Sequence, residues 1–196
     1  MGSAAAGADV GFAAAAKLLA GARDAVLLGH VSPDADALGS ALALGLALRR
    51  RGCAVAVSVG APDEMPESLR HLDSANLYVQ ASRLIDRAPA KLIIALDTGS
   101  IDRLGPLAAL ATATAKAGGT VLVVDHHLSN TRFGTHNLVD PAADATASIV
   151  AGLLDELGEP IDEPIARCLY AGLATDTSHF VRATGDTHRL AARLVD

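Results

Sequence analysis

Short apolar runs that stop abruptly at polar residues recur along the 196-residue chain. The clearest is Val121-Leu122-Val123-Val124, which is followed at once by Asp125-His126-His127. Four aliphatic residues in a row are typical of a strand that is buried on both faces of a parallel sheet. Three further segments show the same pattern: Val26 to Gly29 runs into His30, Lys91 to Leu96 into Asp97, and Leu173 to Thr175 into Asp176. Four apolar segments therefore each end at a potential metal ligand.

Segments with helical periodicity alternate with predicted strands. The predicted helices cover Phe12 to Ala20, Ala37 to Arg51, Gly105 to Lys116, Ala143 to Leu157 and Ile165 to Thr175. The predicted strands cover Asp24 to Gly29, Ala54 to Val59, Lys91 to Leu96 and Thr120 to Val124, with a short one at Leu77 to Gln80. This alternation predicts an α/β fold with a Rossmann-like, mostly parallel sheet and helices on both faces. Ligands of such sheets bind at the carboxyl ends of the strands, where the polar residues stand.

The composition supports a folded α/β domain and limits its partners. Hydrophobic residues make up 51% of the chain but aromatic residues only 3%, so the core is built from Ala, Leu and Val. The formal net charge of -6 argues against a protein that wraps duplex DNA, because that function needs a positive surface to displace counterions. Nucleotides and other phosphates stay open as partners, since bound divalent cations would invert the field of an acidic site.

The cysteines and the apolar runs indicate a protein of a reducing compartment. Cys53 and Cys168 lie far apart in apolar surroundings, which is typical of buried structural thiols. The alanine-rich start, Met1 to Ala22, has no basic n-region and is interrupted by charged residues, which argues against a secretory signal. The longest other apolar run, Leu38 to Leu48, is too short to span a bilayer. We therefore expect a cytoplasmic protein with no membrane partner.

The loop from His30 to Asp36 is the richest local motif and reads His-Val-Ser-Pro-Asp-Ala-Asp. Asp34 and Asp36 are separated by one residue in a loop tightened by Pro33, so both carboxylates can turn toward a point near His30. Such a loop holds one cation or divides its ligands between two. For an isolated Asp-x-Asp, the alternative is that one carboxylate only caps the helix that follows.

The polar ends of the apolar segments together offer two imidazoles, four or five carboxylates and no thiolate. Oxygen-rich sites with one or two imidazoles suit Mn²⁺ or Mg²⁺ better than structural zinc, which prefers sulfur and nitrogen in a closed tetrahedron. Six ligands exceed the number that one ion with an open catalytic position needs. A two-metal centre is therefore the economical arrangement, with one carboxylate bridging the ions and a water activated for attack at phosphorus.

These motifs resemble the signatures of the DHH phosphoesterase superfamily, and within it the bacterial group of oligoribonuclease and pAp phosphatase enzymes (nanoRNases). The signatures appear in order as His30 to Asp36, Asp97 with Arg103, Asp125-His126-His127, and Gly172-Leu173-Ala174-Thr175-Asp176-Thr177. The run Asp-Ala-Leu-Gly-Ser at 36–40 and the segment Pro-Glu-Ser-Leu-Arg at 66–70 favour the nanoRNase group. Because four signatures in the correct order span nearly the whole chain, chance is a poor explanation of the match.

The resemblance implies how the ligands are divided between two divalent ions, with Mn²⁺ preferred and Mg²⁺ as the alternative. His30, Asp34 and Asp97 would hold one ion. The other would be held by Asp36, Asp97, His126 and Asp176, so that Asp97 is the bridge.

The remaining motif residues are assigned supporting roles. His127 does not match a direct ligand of the family, so we assign it to support of the ligands or to proton transfer at the bridging water or leaving group. Asp125 is expected to orient the histidine pair. Arg103 is a candidate for a bidentate phosphate contact, with a structural salt bridge as the alternative. Asn130 is a candidate substrate contact, and His179 is interpreted as a residue that binds no metal.

One part of the family pattern is missing from the sequence. Members of the group usually carry a second, C-terminal domain whose Gly-Gly-Gly-His type motif binds the substrate, and the sequence contains no such motif. The apolar-periodic Leu190 to Val195 also ends at Asp196 without a helix stop signal. Residues 1–196 are therefore interpreted as the metal-binding DHH domain of a longer protein.

The expected function is a Mn²⁺-dependent phosphodiesterase and phosphatase. The expected substrates are short oligoribonucleotides (nanoRNA) and 3'-phosphoadenosine 5'-phosphate, with linear or cyclic dinucleotides as further candidates. The alternatives are another enzyme of the superfamily, such as a family II inorganic pyrophosphatase or a RecJ-type exonuclease, and a non-catalytic nucleotide-binding module. A degenerate module would be expected to lose ligands, and all six are present. A homodimer stays open as an assembly.

Overall fold

The computed structural model describes residues 7–196, and within them six strands form a single sheet. The strands are β1 (Ala8–Asp9), β2 (Asp24–Gly29), β3 (Ala54–Val59), β4 (Leu92–Leu96), β5 (Thr120–Asp125) and β6 (His136–Val139). The sheet order is β1-β6-β5-β4-β2-β3, and every pairing in it is parallel. The four longer predicted strands are present as β2, β3, β4 and β5. Their boundaries lie within one residue of the predicted ones.

Helices or 3-10 helices connect consecutive strands up to β5, a loop joins β5 to β6, and three helices follow β6. The α-helices are α1 (Phe12–Ala20), α2 (Ala35–Arg50), α3 (Ala108–Lys116), α4 (Thr146–Leu157), α5 (Glu163–Asp176) and α6 (Gly185–Val195). Shorter 3-10 helices cover Glu67–Leu72, Ala81–Arg83 and Ile101–Leu107. Among residues 7–196, no helix combines the length and the apolarity that a bilayer-spanning segment needs.

Each face of the sheet carries its own apolar core, because successive residues of a strand point to opposite sides. One core contains Leu27, Ile94 and Leu122 and packs against α1, α2, α4 and α5. The other contains Val26, Ile93 and Val121 and packs against α3 and the neighbouring 3-10 helices. The predicted α/β architecture with helices on both faces is therefore confirmed.

Helix α2 lies at the centre of the larger core and is buried along almost its whole length. Its Gly39 approaches α5 so closely that an added Cβ would lie 2.5 Å from the main-chain oxygen of Cys168. Small residues permit this contact, since the backbones of the two helices meet with little side chain between them. Cys53 and Cys168 are both buried free thiols, as predicted.

Two predicted elements differ from the observed ones, and the observed strands β1 and β6 were not predicted. The helix expected from Gly105 to Lys116 is a 3-10 segment that is interrupted at Gly105, where φ is +54°, and α3 begins only at Ala108. The strand expected at Leu77 to Gln80 is reduced to one bridge between Tyr78 and Val57. Strand β6 has no predicted counterpart, because its four residues begin with His136 and Asn137 and carry no aliphatic run.

The fold brings the polar ends of the apolar segments to one edge of the sheet. His30 follows β2, Asp97 follows β4, and Asp125 is the last residue of β5. These strands are neighbours in the sheet, so their carboxyl ends adjoin. Asp176 reaches the same edge in a different way, because it is the last residue of helix α5 and not the end of a strand.

Candidate metal centre

His30 stands at the carboxyl end of β2 with one ring nitrogen facing the carboxylates. Its Nε2 lies 3.5 Å from Oδ2 of Asp97 and 3.9 Å from Oδ1 of Asp34. Its Nδ1 lies 2.8 Å from the main-chain oxygen of Val31. A proton on Nδ1 therefore leaves a lone pair on Nε2 that points at Asp97 and Asp34, which is the tautomer that a metal ligand needs.

A second group of ligand atoms surrounds His126. Its Nε2 lies 2.9 Å from Oδ2 of Asp176 and 3.6 Å from Oδ1 of Asp97, and its Nδ1 lies 3.2 Å from the main-chain oxygen of Ala143. In this group Asp36, His126 and Asp176 each offer one ligand atom within 4.8 Å of the others. In the first group, His30, Asp34 and Asp97 likewise each offer one ligand atom within 4.8 Å of the others.

Asp97 joins the two groups. Its Oδ2 faces His30 and its Oδ1 faces His126, so each oxygen of one carboxylate is directed at a different group. Asp97 has a φ of +54°, a left-handed conformation that Asp tolerates better than most residues but that still costs free energy. The backbone therefore holds an unfavourable conformation at the position where a bridging carboxylate would have to stand.

Asp36 is fully buried and is held by the amino terminus of α4. Its Oδ2 accepts a hydrogen bond from Thr146 N at 2.7 Å, and its Oδ1 accepts one from Ala147 N at 2.9 Å. Both amides belong to the first turn of α4, where the helix itself provides no acceptor for them. Ser40 Oγ also donates to Oδ1 at 3.3 Å. These hydrogen bonds therefore fix the orientation of the Asp36 carboxylate without the help of an ion.

Asp34 satisfies both readings of the Asp-x-Asp motif. As the N-cap of α2, its Oδ1 accepts hydrogen bonds from the amides of Asp36 and Ala37, each at 3.0 Å. It also belongs to the group formed with His30 and Asp97. Capping and ligation are compatible, because a carboxylate has more lone pairs than two amide donors use.

The buried Nε2 of His126 provides the clearest test of whether these residues suit a cation. Despite its short distance to Asp176, this atom makes no hydrogen bond of acceptable geometry within residues 7–196. With the Nδ1 proton directed at Ala143, the Nε2 lone pair would face carboxylate oxygens, and that arrangement is repulsive unless a positive charge lies between them. A divalent ion would supply that charge, and the donor set of imidazole and carboxylate suits Mn²⁺ or Mg²⁺.

The raised pKa of His126 also indicates that the surrounding carboxylates favour a positive charge at this position. Burial acts to lower it, but the carboxylates of Asp176, Asp97 and Asp36 outweigh burial and raise the pKa of His126 to about 9. The pKa of His30 is also raised, because Asp97 and the Val31 carbonyl together outweigh burial. Both shifts have the same direction, because the neighbouring carboxylates favour a positive charge on each imidazole.

The two central carboxylates respond in opposite directions. Burial, followed by the charges of Asp97 and Asp176, raises the pKa of Asp36 well above its usual value. For Asp97, burial also acts upward, but contacts with His30 and the Thr146 hydroxyl prevail and lower its pKa. Asp97 is therefore the carboxylate that stays ionised, and Asp36 is the one that most needs a neighbouring cation.

Asp125 orients His127 at the rim of the site. Its Oδ1 lies 2.7 Å from Nδ1 of His127, while its Oδ2 accepts a hydrogen bond from the amide of Asn130. Asp125 is completely buried, whereas the side chain of His127 is 47% exposed. This arrangement directs the exposed Nε2 of His127 away from Asp125, where proton transfer to a substrate is sterically open.

The amide of Asn130 is used within the protein. It donates to the main-chain oxygen of Thr98 at 3.1 Å as well as to Asp125, and its Oδ1 accepts from Arg132 N at 2.6 Å. These bonds give Asn130 a role in positioning Asp125 and the loop after His127, and its contact with a substrate stays a prediction.

Two recesses open onto these residues. One, of about 420 Å³, is lined by Asp97, Gly99, Ser100, Arg103, His127, Ser129 and Thr131. The other, of about 280 Å³, is lined by His126, Asp144, Asp176, Thr177 and Arg182. A larger cavity of about 1040 Å³ lies at the amino ends of the strands and shares no residue with them. We assign the chemistry to the two small recesses, since the potential ligands line only these.

Arg103 lines the larger of the two recesses beside the metal groups. Its Nη2 lies 3.0 Å from Nδ1 of His30, but a guanidinium only donates hydrogen bonds. If Nδ1 of His30 carries the proton that binds the Val31 carbonyl, this contact with Arg103 is not a hydrogen bond. The guanidinium makes no ion pair within residues 7–196 and is therefore available to an anion.

Some site residues were not predicted from the sequence. Thr146 binds Asp36 through its amide and Asp97 through its hydroxyl at 2.9 Å, but 110 residues separate it from Asp36. Ser40 is buried on the inner face of α2 although its sequence context is that of an ordinary helical residue. No local pattern marks either position, because both depend on how distant elements pack. His179 is exposed and lies outside the ligand groups, as expected.

Comparisons with known proteins agree with this geometry. Residues 24–173 match the DHH family, N-terminal domain. The bifunctional oligoribonuclease and PAP phosphatase NrnA of Thermus thermophilus is 34% identical over 168 residues, which cover 85% of this chain and 48% of that protein. A probable manganese-dependent inorganic pyrophosphatase of Streptococcus mutans is 33% identical over 161 residues, or 78% of this chain and 47% of that protein.

The solved structures include a similar fold. An exopolyphosphatase-related protein from Bacteroides fragilis superposes with a TM-score of 0.82 and 26% identity, covering 94% of this chain and 55% of that one. The chain spans about half the length of these relatives. Because the match to the family covers most of the chain and includes the strands that carry the ligand groups, the chain belongs to the DHH family.

Proposed function

We propose that the protein is a metal-dependent phosphoesterase whose metal centre is built by His30, Asp34, Asp36, Asp97, His126 and Asp176. The observation that carries the proposal is the geometry of Asp97, whose two oxygens face two separate ligand groups. A carboxylate shared in this way is the bridging element of a two-metal site. The sheet edge on which the groups lie is also where parallel sheets bind their ligands.

Two divalent ions in such a centre would supply Lewis-acid stabilisation of a phosphoryl group and an activated water. The residues of the chain contribute orientation and proton transfer. Thr146 and the amino terminus of α4 fix Asp97 and Asp36, so little reorganisation is needed when a substrate binds. His127, held by Asp125, has an exposed nitrogen that can donate a proton to a leaving oxygen.

The proposed substrates are short oligoribonucleotides and 3'-phosphoadenosine 5'-phosphate, with linear or cyclic dinucleotides as further candidates. The similarity to NrnA supports this class. The recess beside Arg103, at about 420 Å³, lies within the size range of sites that bind small molecules. Mn²⁺ is the proposed ion and the cytoplasm the proposed location.

Inorganic pyrophosphate hydrolysis is the second candidate function. It is favoured by the similarity to a probable manganese-dependent inorganic pyrophosphatase at 33% identity, close to the identity with NrnA. Both candidates use the same ligand groups and differ in what lies beside the cleaved phosphoryl group. Substrate comparison therefore separates them, whereas metal analysis does not.

The metal centre is tested by the variant Asp97→Ala. We expect the wild type to retain two Mn²⁺ ions per chain after dialysis, and the variant to lose most of both, because Asp97 is the ligand that the two groups share. Metal content measured by inductively coupled plasma spectrometry gives the stoichiometry. Asp102→Ala removes an exposed carboxylate nearby and should leave the metal content unchanged. Unchanged occupancy in Asp97→Ala, or a single tightly held zinc in the wild type, would refute the two-metal centre.

The substrate class is tested with Mn²⁺ and a panel of four compounds. The panel contains pyrophosphate, an aryl phosphodiester, 3'-phosphoadenosine 5'-phosphate and a dinucleotide. We expect the two nucleotides to be hydrolysed with the highest kcat/KM, and His126→Ala to abolish turnover of all four. Preferential turnover of pyrophosphate would instead assign the protein to the pyrophosphatase candidate.

A further inference from the structure

We propose that Arg182 forms an anion-binding subsite beside the metal centre, which holds a phosphate group of the substrate other than the one that is cleaved. The inference rests on the phosphoesterase function proposed above. Among the substrates proposed there, it favours nucleotides that carry a second phosphate group on the ribose, such as 3'-phosphoadenosine 5'-phosphate.

Arg182 lines the recess of about 280 Å³ that also contains His126 and Asp176. This recess shares no lining residue with the one that contains Arg103. Each recess therefore has one arginine and at least one residue of the ligand groups. A substrate that binds at the ligand groups can therefore reach Arg182 through the recess of His126 and Asp176.

The guanidinium of Arg182 has unused hydrogen-bonding capacity. Its one polar contact within residues 7–196 is the hydrogen bond from Nη2 to the main-chain oxygen of Asp176, at 2.8 Å. It makes no ion pair in that part of the chain, although Asp144 and Asp176 line the same recess. By contrast, Arg189 and Arg193 of the neighbouring helix α6 are each paired with a carboxylate. Most of the planar donor fork of Arg182 remains free for a phosphate, which it can bind through two parallel hydrogen bonds.

An unfavourable turn fixes the position of Arg182. Ser178, His179 and Phe180 follow α5 with φ values of +53°, +55° and +68°, and such left-handed conformations cost free energy at every residue other than glycine. The turn is closed by a hydrogen bond from Arg182 N to Thr177 O at 3.0 Å. The chain thus keeps a costly conformation that returns Arg182 to the end of α5, next to Asp176.

Side-chain packing holds this turn in place. The amide of Phe180 donates to Thr177 Oγ1 at 3.1 Å, and the Phe180 ring lies against Tyr170 and His188, with centroid distances of 5.5 Å and 6.0 Å. Thr177 is itself buried. The arginine is therefore presented from a rigid support, as a group that recognises one position of a phosphate needs to be.

A purely structural role is the alternative for Arg182. An arginine that binds the last carbonyl of a helix compensates the negative end of the helix dipole and caps the helix. That role would affect the stability of α5 and would affect all substrates alike. The subsite predicts a difference between substrates with one phosphate and substrates with two.

The test compares Arg182→Gln and Arg182→Lys with the wild type in Mn²⁺ buffer. The substrates are adenosine 3',5'-bisphosphate and the two adenosine monophosphates. We expect Arg182→Gln to raise KM for the bisphosphate by about tenfold or more, since charge-assisted hydrogen bonds to phosphate are lost. The kcat and the KM for the monophosphates should change by less than about twofold. Arg182→Lys should recover part of the affinity, because it keeps the charge but not the fork.

An equilibrium measurement makes the result independent of turnover. Calorimetric titration with a non-hydrolysable analogue of the bisphosphate, in which a methylene group replaces the 3' ester oxygen, should show the same loss of affinity in Arg182→Gln. Arg189→Gln removes an exposed, ion-paired arginine of α6 and should change neither KM nor analogue binding. Equal losses on mono- and bisphosphates, together with a lower melting temperature, would assign Arg182 to helix capping and overturn the subsite. If the wild type cleaves none of these compounds, the proposed activity on 3'-phosphoadenosine 5'-phosphate fails, and the analogue titration still decides the subsite.

Discussion

At the scale of single residues, the site is a balance between acids and the few positive groups among them. Asp97 keeps its charge while Asp36 resists ionisation, and the two histidines are drawn toward protonation. The raised pKa values of Asp36 and the two histidines reflect several carboxylates in a small buried volume, whereas contacts with His30 and Thr146 lower the pKa of Asp97. A cation relieves all of them at once, so metal binding and protonation compete for the same site.

This competition predicts a strong pH dependence of metal affinity. With the pKa of His126 raised to about 9, the metal-free protein holds this imidazole protonated at neutral pH. An ion binds only the neutral ring, so affinity for Mn²⁺ should fall by about tenfold for each pH unit below about 9. An unperturbed imidazole would confine this fall to pH values below 6.5. Competition titrations with a chelating dye between pH 7 and 9 measure the slope, and a flat affinity over this range would contradict the prediction.

The stability of the metal-free protein should change in the opposite direction. A histidine whose pKa is raised in the folded state stabilises that state fully below its usual pKa of 6.5, and this contribution is lost as pH rises through about 9. Thermal unfolding in the presence of a chelator should therefore show a melting temperature that falls as the pH rises from 6.5 to about 9. His71→Gln removes an exposed histidine outside the ligand groups. It should change neither the pH dependence of Mn²⁺ affinity nor that of the melting temperature.

At the scale of secondary structure, the apolar runs predicted the elements that matter most for the site. Strands β2, β4 and β5 were predicted because each is a run of aliphatic residues buried on both faces, and such runs have few alternatives. Their common direction follows from the helices between them, so the convergence of His30, Asp97 and Asp125 could also be predicted. The fold and most of the ligand groups are thus encoded locally.

The parts that could not be predicted depend on contacts between distant elements. The support of Asp36 by α4 joins residues 110 positions apart, and nothing near Thr146 in the sequence indicates it. The turn that carries Arg182 has no glycine to mark its left-handed residues. Asp176 ends α5, in agreement with the helix predicted from Ile165 to Thr175, but nothing local indicates that this helix end reaches the carboxyl ends of the strands. Packing, and not pattern, decides these positions.

The close contact of α5 with Asp36 predicts the effect of a small substitution. In Gly172→Ala, the added Cβ would lie 2.6 Å from Asp36 Oδ1 and 3.0 Å from Asp36 Cα. Alanine favours helices, yet we expect a loss of about 1–3 kcal/mol of unfolding free energy from overpacking. Because Asp36 must move, Mn²⁺ affinity should fall as well, although no ligand has been removed. Urea denaturation and metal titration measure the two effects.

Gly21→Ala is the matched control for this substitution. Gly21 ends α1 with a φ of -92°, and an added Cβ meets no atom within 4 Å. The change should be neutral or stabilising by up to about 1 kcal/mol, through the lower entropy of the unfolded chain. If Gly172→Ala behaves like this control in both measurements, the described contact between α5 and Asp36 is not a constraint on the site.

At the scale of the whole molecule, the ligands are distributed over most of the chain, from His30 to Asp176. They are carried by three strands or strand ends and by helices α2 and α5. The two layers of helices keep these elements in place, and water screens the charges of the buried His30, Asp36 and Asp97 less than it screens charges at the surface. A change in how α4 or α5 packs on α2 would therefore reach the metal centre, even when it occurs far from any ligand.

The all-parallel sheet also has a consequence for the order of events in folding. Every strand pairing requires a crossover connection, so contacts that join distant residues must form slowly and late. The ligand groups are complete only when α2, α4 and α5 have met, so we expect the transition state to lack them. Mn²⁺ should then slow the unfolding rate, by about the factor that it adds to stability, and leave the refolding rate nearly unchanged. Stopped-flow denaturant jumps with and without Mn²⁺ measure both rates, and accelerated refolding at an unchanged unfolding rate would mean that the ligand groups assemble first. In the expected case, the ion binds only after the chain has folded and stabilises the finished structure. It is not the nucleus around which the chain folds.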